Sequence, residues 1–68
     1  METLEKKYTL KAIRVNSGLS QTEAAKKLGI SQQTLSSWEN GTTFPLVPDV
    51  YKIEELYKTP FAEIKFML

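Results

Sequence analysis

Neither cysteine nor histidine occurs in this 68-residue sequence. Without cysteine the chain has no disulfide framework, and without both residues it has no zinc finger and no thiol or imidazole catalyst. Eight acidic residues and several hydroxyls are present, but helix capping and charge pairing account for the best placed of them, and no nucleophile has a base beside it in the sequence. We therefore expect no metal, no cofactor and no enzymatic activity.

Long apolar runs and an excess of one charge are also missing. No run approaches the roughly 20 apolar residues of a membrane helix, and the first eight residues, M-E-T-L-E-K-K-Y, lack the apolar core of a signal peptide. The chain is therefore expected to be soluble and cytoplasmic. Its length fits a single domain, 1–68, with no second domain for a small-molecule effector. The net charge of +1 excludes a general coat for nucleic acid.

The middle of the chain carries two consecutive helix-start signals. Ser20 and Glu23 form the pattern of a capping box, and Gly29 is suited to end the helix in the left-handed conformation. Ser31 is a second N-cap, and Asn40-Gly41 marks the end of the next helix. Because the connection is short and contains glycine, the two helices cannot lie antiparallel. The pattern predicts a helix-turn-helix at 20–40, whose second helix can lie in a major groove of DNA.

The second of these helices divides into an apolar and a polar face. Leu35 and Trp38 share the apolar stripe, which favours a core position for Trp38 over stacking on nucleic-acid bases. The polar face has no cation, but glutamine can bond adenine N6 and N7 together. The alternative is that the two glutamines are ordinary solvated helix residues. The polar face consists of Gln32, Gln33, Ser36 and Ser37.

The flanking segments predict further helices. Thr9 is an N-cap that Tyr8 and Ile13 bracket as a hydrophobic staple, and Thr59-Pro60 combines a capping hydroxyl with proline at a first helical position. Phe61 and Ile64 are expected to face inward. The fold class is thus all-α with five short helices. Their predicted ranges are 10–17, 21–28, 32–39, 48–57 and 60–66.

The last residues, Ile64 to Leu68, are more apolar than a free tail should be. They could complete the core, form a contact between two subunits, or form a short strand beside the segment from Leu4 to Tyr8. The sequence leaves these three interpretations open.

Residues 10–64 resemble the Cro and lambda-repressor type of helix-turn-helix domain, the XRE family. The resemblance rests on G-L-S-Q-T-E-A-A-K-K-L-G-I-S-Q-Q-T-L-S-S-W-E-N-G, and extends upstream into L-K-A-I-R and downstream past Pro45. It implies a lambda-repressor-like DNA-binding domain of five helices. It also implies a transcriptional regulator, commonly from phages or prophages, that binds a palindromic operator of double-stranded DNA as a homodimer.

The resemblance also implies roles for single residues. Gln21 matches a position that holds a phosphate at a helix N-terminus, where unpaired N–H groups favour an anion. Gln32, Gln33 and Ser37 match positions that meet base edges, and Thr34 could touch a thymine methyl group or a backbone oxygen. The segment after E-N-G is basic in many relatives but not here. The residues that match positions beside the next phosphate are Asn40, Thr42 and Thr43.

Charged residues outside the central motif have two expected roles. Lys7 and Lys11, in the cationic first part of the chain, are candidates for phosphate contacts, whereas Lys26 and Lys27 fit a solvated helix end. Arg14 and Glu39 match family positions that face each other, and are expected to form a structural ion pair. A direct phosphate contact by Arg14 is the alternative.

A second function is compatible with the low charge and the apolar C-terminal residues. The same fold could serve as a protein-interaction module for a repressor, an antirepressor or a toxin. Binding to random DNA duplexes at low and physiological salt would distinguish it from the DNA-binding function.

Overall fold

Four α-helices make up most of the structure, a computed structural model that describes residues 7–66. They are α1 (Leu10–Asn16), α2 (Gln21–Leu28), α3 (Gln32–Asn40) and α4 (Val47–Tyr57). A short strand, β1 (Tyr8–Thr9), precedes α1, and a 3-10 helix (Phe61–Glu63) leads into β2 (Ile64–Lys65). The first four predicted helices are therefore present, each end within one residue of its predicted position.

The predicted caps of the helix-turn-helix are confirmed. Glu23 N–H donates to Ser20 Oγ at 3.1 Å, while Ser20 N–H donates to Glu23 Oε1 at 2.9 Å. Thr34 N–H donates to Ser31 Oγ at 3.0 Å, which starts α3 in the same way. Gly29 ends α2 at φ +76, and a Cβ there would meet nothing within 4 Å. The backbone conformation, and not a lack of space, is what requires glycine at this corner.

The predicted fifth helix, 60–66, is wrong. Glu63 N–H donates to Pro60 O at 2.9 Å in a single 3-10 turn, and Ile64 is already extended at φ −103 and ψ 127. β2 then pairs in parallel with β1, with Tyr8 opposite Ile64. Because this pairing satisfies backbone groups that a helix would otherwise use, the chain leaves the helical conformation after one turn. Phe61, expected to face inward, is 51% exposed.

The strand interpretation of the C-terminal residues is correct for a short stretch. Ile64 is buried in the core, and Phe66 is half-buried and packs against it. Leu4, Met67 and Leu68, which belong to the segments of the strand prediction, lie outside the described residues.

The core is built from side chains of all four α-helices and of β2. Leu10, Leu35 and Ile53 are its most deeply buried large side chains. Trp38 is only 5% exposed, so it packs inside the protein and is not available to stack on bases. None of the helices within residues 7–66 is long and apolar enough to span a lipid bilayer. The remaining buried apolar residues are Ile13, Ala24, Ala25, Leu28, Tyr57 and Ile64.

Candidate nucleic-acid interface

The solvent-facing side of α3 is polar and uncharged. Gln32 and Gln33 are exposed at its N-terminal end, immediately after the Ser31 cap, whereas Thr34 and Ser37 are half-buried. The Thr34 hydroxyl accepts a hydrogen bond from Ser31 Oγ at 2.9 Å. Of the four predicted base contacts, the two glutamines thus have the greatest reach from the protein surface.

The two glutamines differ in how they are held. The Thr22 hydroxyl donates to Gln32 Oε1 at 3.1 Å, and Gln32 Nε2 donates to Gln21 Oε1 at 3.4 Å. Both partners lie in the first turn of α2. The side chain of Gln33 makes no hydrogen bond to another residue of the described chain. Gln32 is therefore oriented before any ligand arrives, whereas the orientation of Gln33 is left to solvent.

Gln21 connects the Gln32 amide to a buried ion pair. Its Nε2 donates to Glu39 Oε1 at 3.0 Å. Glu39 Oε2 in turn accepts from Arg14 Nε at 2.7 Å, and Oε1 accepts from Arg14 Nη2 at 3.3 Å. Both the amide nitrogen and the amide oxygen of Gln21 are thus engaged within the protein. A phosphate at the start of α2 would therefore be bound by backbone N–H groups, which lack an intrahelical acceptor in the first turn of any helix.

The Arg14–Glu39 contact anticipated from the family resemblance is present and buried. Arg14 is 8% exposed and Glu39 is 6% exposed. The third nitrogen of the guanidinium, Nη1, donates to Leu19 O at 2.9 Å, which holds the connection between α1 and α2. With all three nitrogens engaged inside the protein, Arg14 does not fit the alternative role of a phosphate contact.

The segment after α3 is folded back onto the helix by its backbone. Gly41 has φ +81, and the N–H groups of Thr42 and Thr43 both donate to Ser37 O, at 2.9 and 3.4 Å. Asn40 is exposed, and its amide makes a long contact of 3.5 Å with Ser36 Oγ. Since the two threonine N–H groups are used, contacts to a phosphate from this segment would come from exposed side chains. These phosphate roles stay predictions.

The predicted lysine contacts lie on other elements. Lys11 is exposed in the first turn of α1, the helix that also packs against α3, and Lys7 is exposed just before β1. The structure groups Gln21, Thr22 and Gln32 by direct contact and does not bring the lysines into that group. Their phosphate roles also stay predictions.

Thr22 is a residue of this site that the sequence did not indicate. It stands between Gln21 and Glu23, both of which had clearer signals, and a hydroxyl in a first helical turn is common. The sequence carried no local signal for it, because its contact with Gln32 joins residues ten positions apart on two different helices.

A separate apolar surface lies beyond the C-terminal end of α3. It encloses a shallow groove of about 330 Å³. The rings of Phe61 and Phe66 lie 5.7 Å apart on it, and Phe44 and Val47 are exposed to solvent. Exposed apolar side chains grouped in this way are typical of contact surfaces. The residues of the apolar surface are Phe44, Pro45, Val47, Val50, Phe61 and Phe66.

Within residues 7–66 no group of three acidic side chains is placed to hold a metal ion. The polar site, in contrast to the apolar surface, consists of hydrogen-bonding and charged groups on α1, α2 and α3. It can bind and orient a polar ligand.

Comparison with known proteins matches residues 10–64 to the family described as Helix-turn-helix. The cryptic phage CTXphi transcriptional repressor RstR of Vibrio cholerae is 33% identical over 55 residues. That alignment covers 81% of this chain and 50% of the repressor, so the chain spans about half the length of this curated relative. No solved structure gives a significant match.

Proposed function

Because this chain belongs to the helix-turn-helix family, we propose that it is a transcriptional regulator that binds double-stranded DNA sequence-specifically. It acts by occupying an operator and altering the access of RNA polymerase, and it carries out no chemical step. The similarity to a phage repressor supports this function. The role also implies a cytoplasmic protein, located with the DNA that it reads.

The observation that carries the proposal is the position of Gln32 and Gln33, which are exposed at the capped start of α3. A helix start can enter the major groove end-on, and the glutamine side chain carries both the donor and the acceptor that adenine requires there. α3 carries no cation, which supports base reading by this helix and phosphate binding by its neighbours. Gln21, Asn40, Thr42 and Thr43, with Lys7 and Lys11, would set the position on the DNA backbone.

The regulator would act as a homodimer on a roughly palindromic site. A net charge of +1 supplies little non-specific affinity, and one helix contacts only a few base pairs. Two linked α3 helices about 34 Å apart would reach successive major grooves and add their contacts.

The apolar surface is a suitable place for the two copies to meet. Its first residue, Phe44, follows the α3 C-cap Gly41 by three residues. A second copy that covers this surface would therefore connect two reading helices through short segments, and would remove exposed apolar side chains from water.

Selection of duplexes from a random pool by the full chain tests this function. We expect one enriched motif with two-fold symmetry and half-sites one helical turn apart, and we expect light scattering to report two chains for each bound site. The Gln32→Ala/Gln33→Ala variant should lose the enrichment. Both changes lie on exposed positions and should not unfold the protein.

The apolar surface and the low net charge favour one alternative, a module that binds a protein partner and no DNA. Failure to bind any duplex even at low salt would contradict the proposed function and support this alternative. An enriched motif without symmetry would contradict the dimer while leaving the DNA-binding function in place.

A further inference from the structure

We propose that Thr22 is a positioning residue for base recognition: its hydroxyl fixes the Gln32 amide in the orientation that reads adenine. This inference rests on the proposed DNA-binding function. Thr22 Oγ1 donates to Gln32 Oε1 at 3.1 Å, from the second residue of α2 to the first residue of α3.

The orientation of Gln32 follows from a chain of contacts that begins at the buried ion pair. A carboxylate only accepts hydrogen bonds, so the Gln21 atom that faces Glu39 at 3.0 Å must be Nε2. The Oε1 atom of Gln21 therefore faces Gln32. Because this oxygen only accepts, the Gln32 atom that contacts it must be the donor Nε2. Gln32 Oε1 is then left to face Thr22.

Thr22 completes this chain because a hydroxyl can donate to the amide oxygen. The contact from Gln32 to Gln21 is long, at 3.4 Å, and the terminal torsion of glutamine is otherwise broad. The shorter Thr22 contact is thus the stronger restraint on the amide plane. Without the hydroxyl, Gln32 would keep a single weak contact and would sample several orientations.

The hydrogen-bonding capacity that remains on Gln32 suits adenine. A glutamine amide has two N–H donors and two acceptor positions on its oxygen. Gln21 uses one donor and Thr22 uses one acceptor position. One donor and one acceptor remain, which is what a bidentate contact to adenine N7 and N6 requires. Thr22 therefore acts on specificity through Gln32, without touching the base.

Thr22→Val tests the role, because valine keeps the size and β-branching of threonine and removes the hydroxyl. With the 68-residue chain and the duplex selected above, we expect about three- to tenfold weaker binding, as for the loss of one modest hydrogen bond. The loss should coincide with relaxed discrimination at the same base pair that Gln32→Ala relaxes. Binding to random duplex and the urea midpoint should not change, since Thr22 is exposed.

Two further variants separate positioning from other effects. Thr22→Ser keeps the hydroxyl and should restore binding and discrimination. In the Gln32→Ala background, Thr22→Val should have no additional effect, because nothing remains to be positioned. Additive effects, or an equal loss on selected and random DNA, would assign Thr22 to a direct phosphate contact and overturn the inference.

The outcomes also distinguish this inference from the proposed function. If the wild-type chain enriches no motif, the function fails and the inference fails with it. If the chain enriches a motif and Gln32→Ala relaxes one base pair, but Thr22→Val changes nothing, the inference alone is wrong. A Gln32→Ala variant that relaxes no base pair would equally refute the role of Thr22, while Gln33 could still carry the function.

Discussion

Arg14 Nε lies 2.7 Å from Glu39 Oε2, although the two residues are separated by 25 positions in the sequence. The pair joins α1 to α3, and through Gln21 it contacts the side chain of Gln32, the first residue of α3. A buried ion pair gains little net stability over apolar residues of the same size, but it is costly to break. In this protein the pair both stabilises the fold and positions the side chain of Gln21, which contacts Gln32.

Glu39→Gln should destabilise the protein by roughly 3 kcal/mol in the free energy of unfolding. The reason is that the Arg14 charge would stay buried without a counter-charge. Urea unfolding followed by circular dichroism measures the effect. The Arg14→Met/Glu39→Leu variant, which removes both charges, should recover much of the loss. A single variant as stable as the wild type would contradict the structural role of the pair.

Tyr57→Phe should leave the free energy of unfolding unchanged or raise it by about 1 kcal/mol. Tyr57 is 7% exposed, and its hydroxyl is a buried side-chain atom with no hydrogen-bond partner among the described residues. Phenylalanine fills the same ring position without the cost of that unpaired group. Thermal unfolding of the two proteins at neutral pH measures the difference, and a clear loss of stability would show that the hydroxyl has a partner in solution.

The same tyrosine should make the protein less stable at high pH. Burial, with a smaller contribution from the Glu39 charge, raises the pKa of Tyr57 from 10.0 to about 12. Between these two values the unfolded chain releases the proton and the folded chain keeps it. The contribution of Tyr57 ionisation to the free energy of unfolding is therefore fully present below pH 10. It is lost between pH 10 and pH 12, at about 1.4 kcal/mol for each pH unit.

Tyr57→Phe is the matched control for that pH dependence. The variant should lose less stability than the wild type between pH 10 and 12, because phenylalanine does not ionise. Subtracting the two urea curves at each pH cancels the titration of the lysines. A constant difference across this range would contradict the raised pKa.

Gln33→Ala and Lys11→Ala should weaken DNA binding in different ways. Loss of the Gln33 amide should remove roughly 1 to 3 kcal/mol of discrimination at one base pair, whereas loss of the Lys11 charge should weaken binding to all sequences alike. Competition with duplexes substituted at each position, repeated at several salt concentrations, measures both effects. Equal losses on selected and random DNA for Gln33→Ala would refute its base-reading role, and an unchanged salt dependence for Lys11→Ala would refute its phosphate contact.

Phe61→Asp should weaken self-association while preserving the monomer fold. Phe61 is half exposed on the apolar surface, so a charge there opposes burial against a second copy more than it disturbs the core. Analytical ultracentrifugation should show a dissociation constant raised at least tenfold. Val15→Asp, at an exposed position of α1, is the control and should associate as the wild type does. Equal behaviour of the two variants would place the dimer contact elsewhere.

Sequence reasoning was most accurate where the interacting groups are close neighbours in the chain. The capping box of Ser20 and Glu23, the Ser31 cap and the left-handed Gly29 all depend on contacts within one or two helical turns. It failed for residues 60–66, where Thr59-Pro60 did not start a fifth α-helix. A backbone pairing with Tyr8, at the other end of the chain, competes with the helix there.

By itself, therefore, the sequence determined the helix starts, the glycine corner and the separation of Leu35 and Trp38 from the exposed glutamines, because local hydrogen bonds and helical periodicity decide these. Only the tertiary structure decided that β2 pairs with β1 and that Thr22 holds Gln32. Those contacts join groups that have no local preference for each other. They form when packing of the core brings the first turns of α2 and α3, and the two ends of the described chain, within hydrogen-bonding distance.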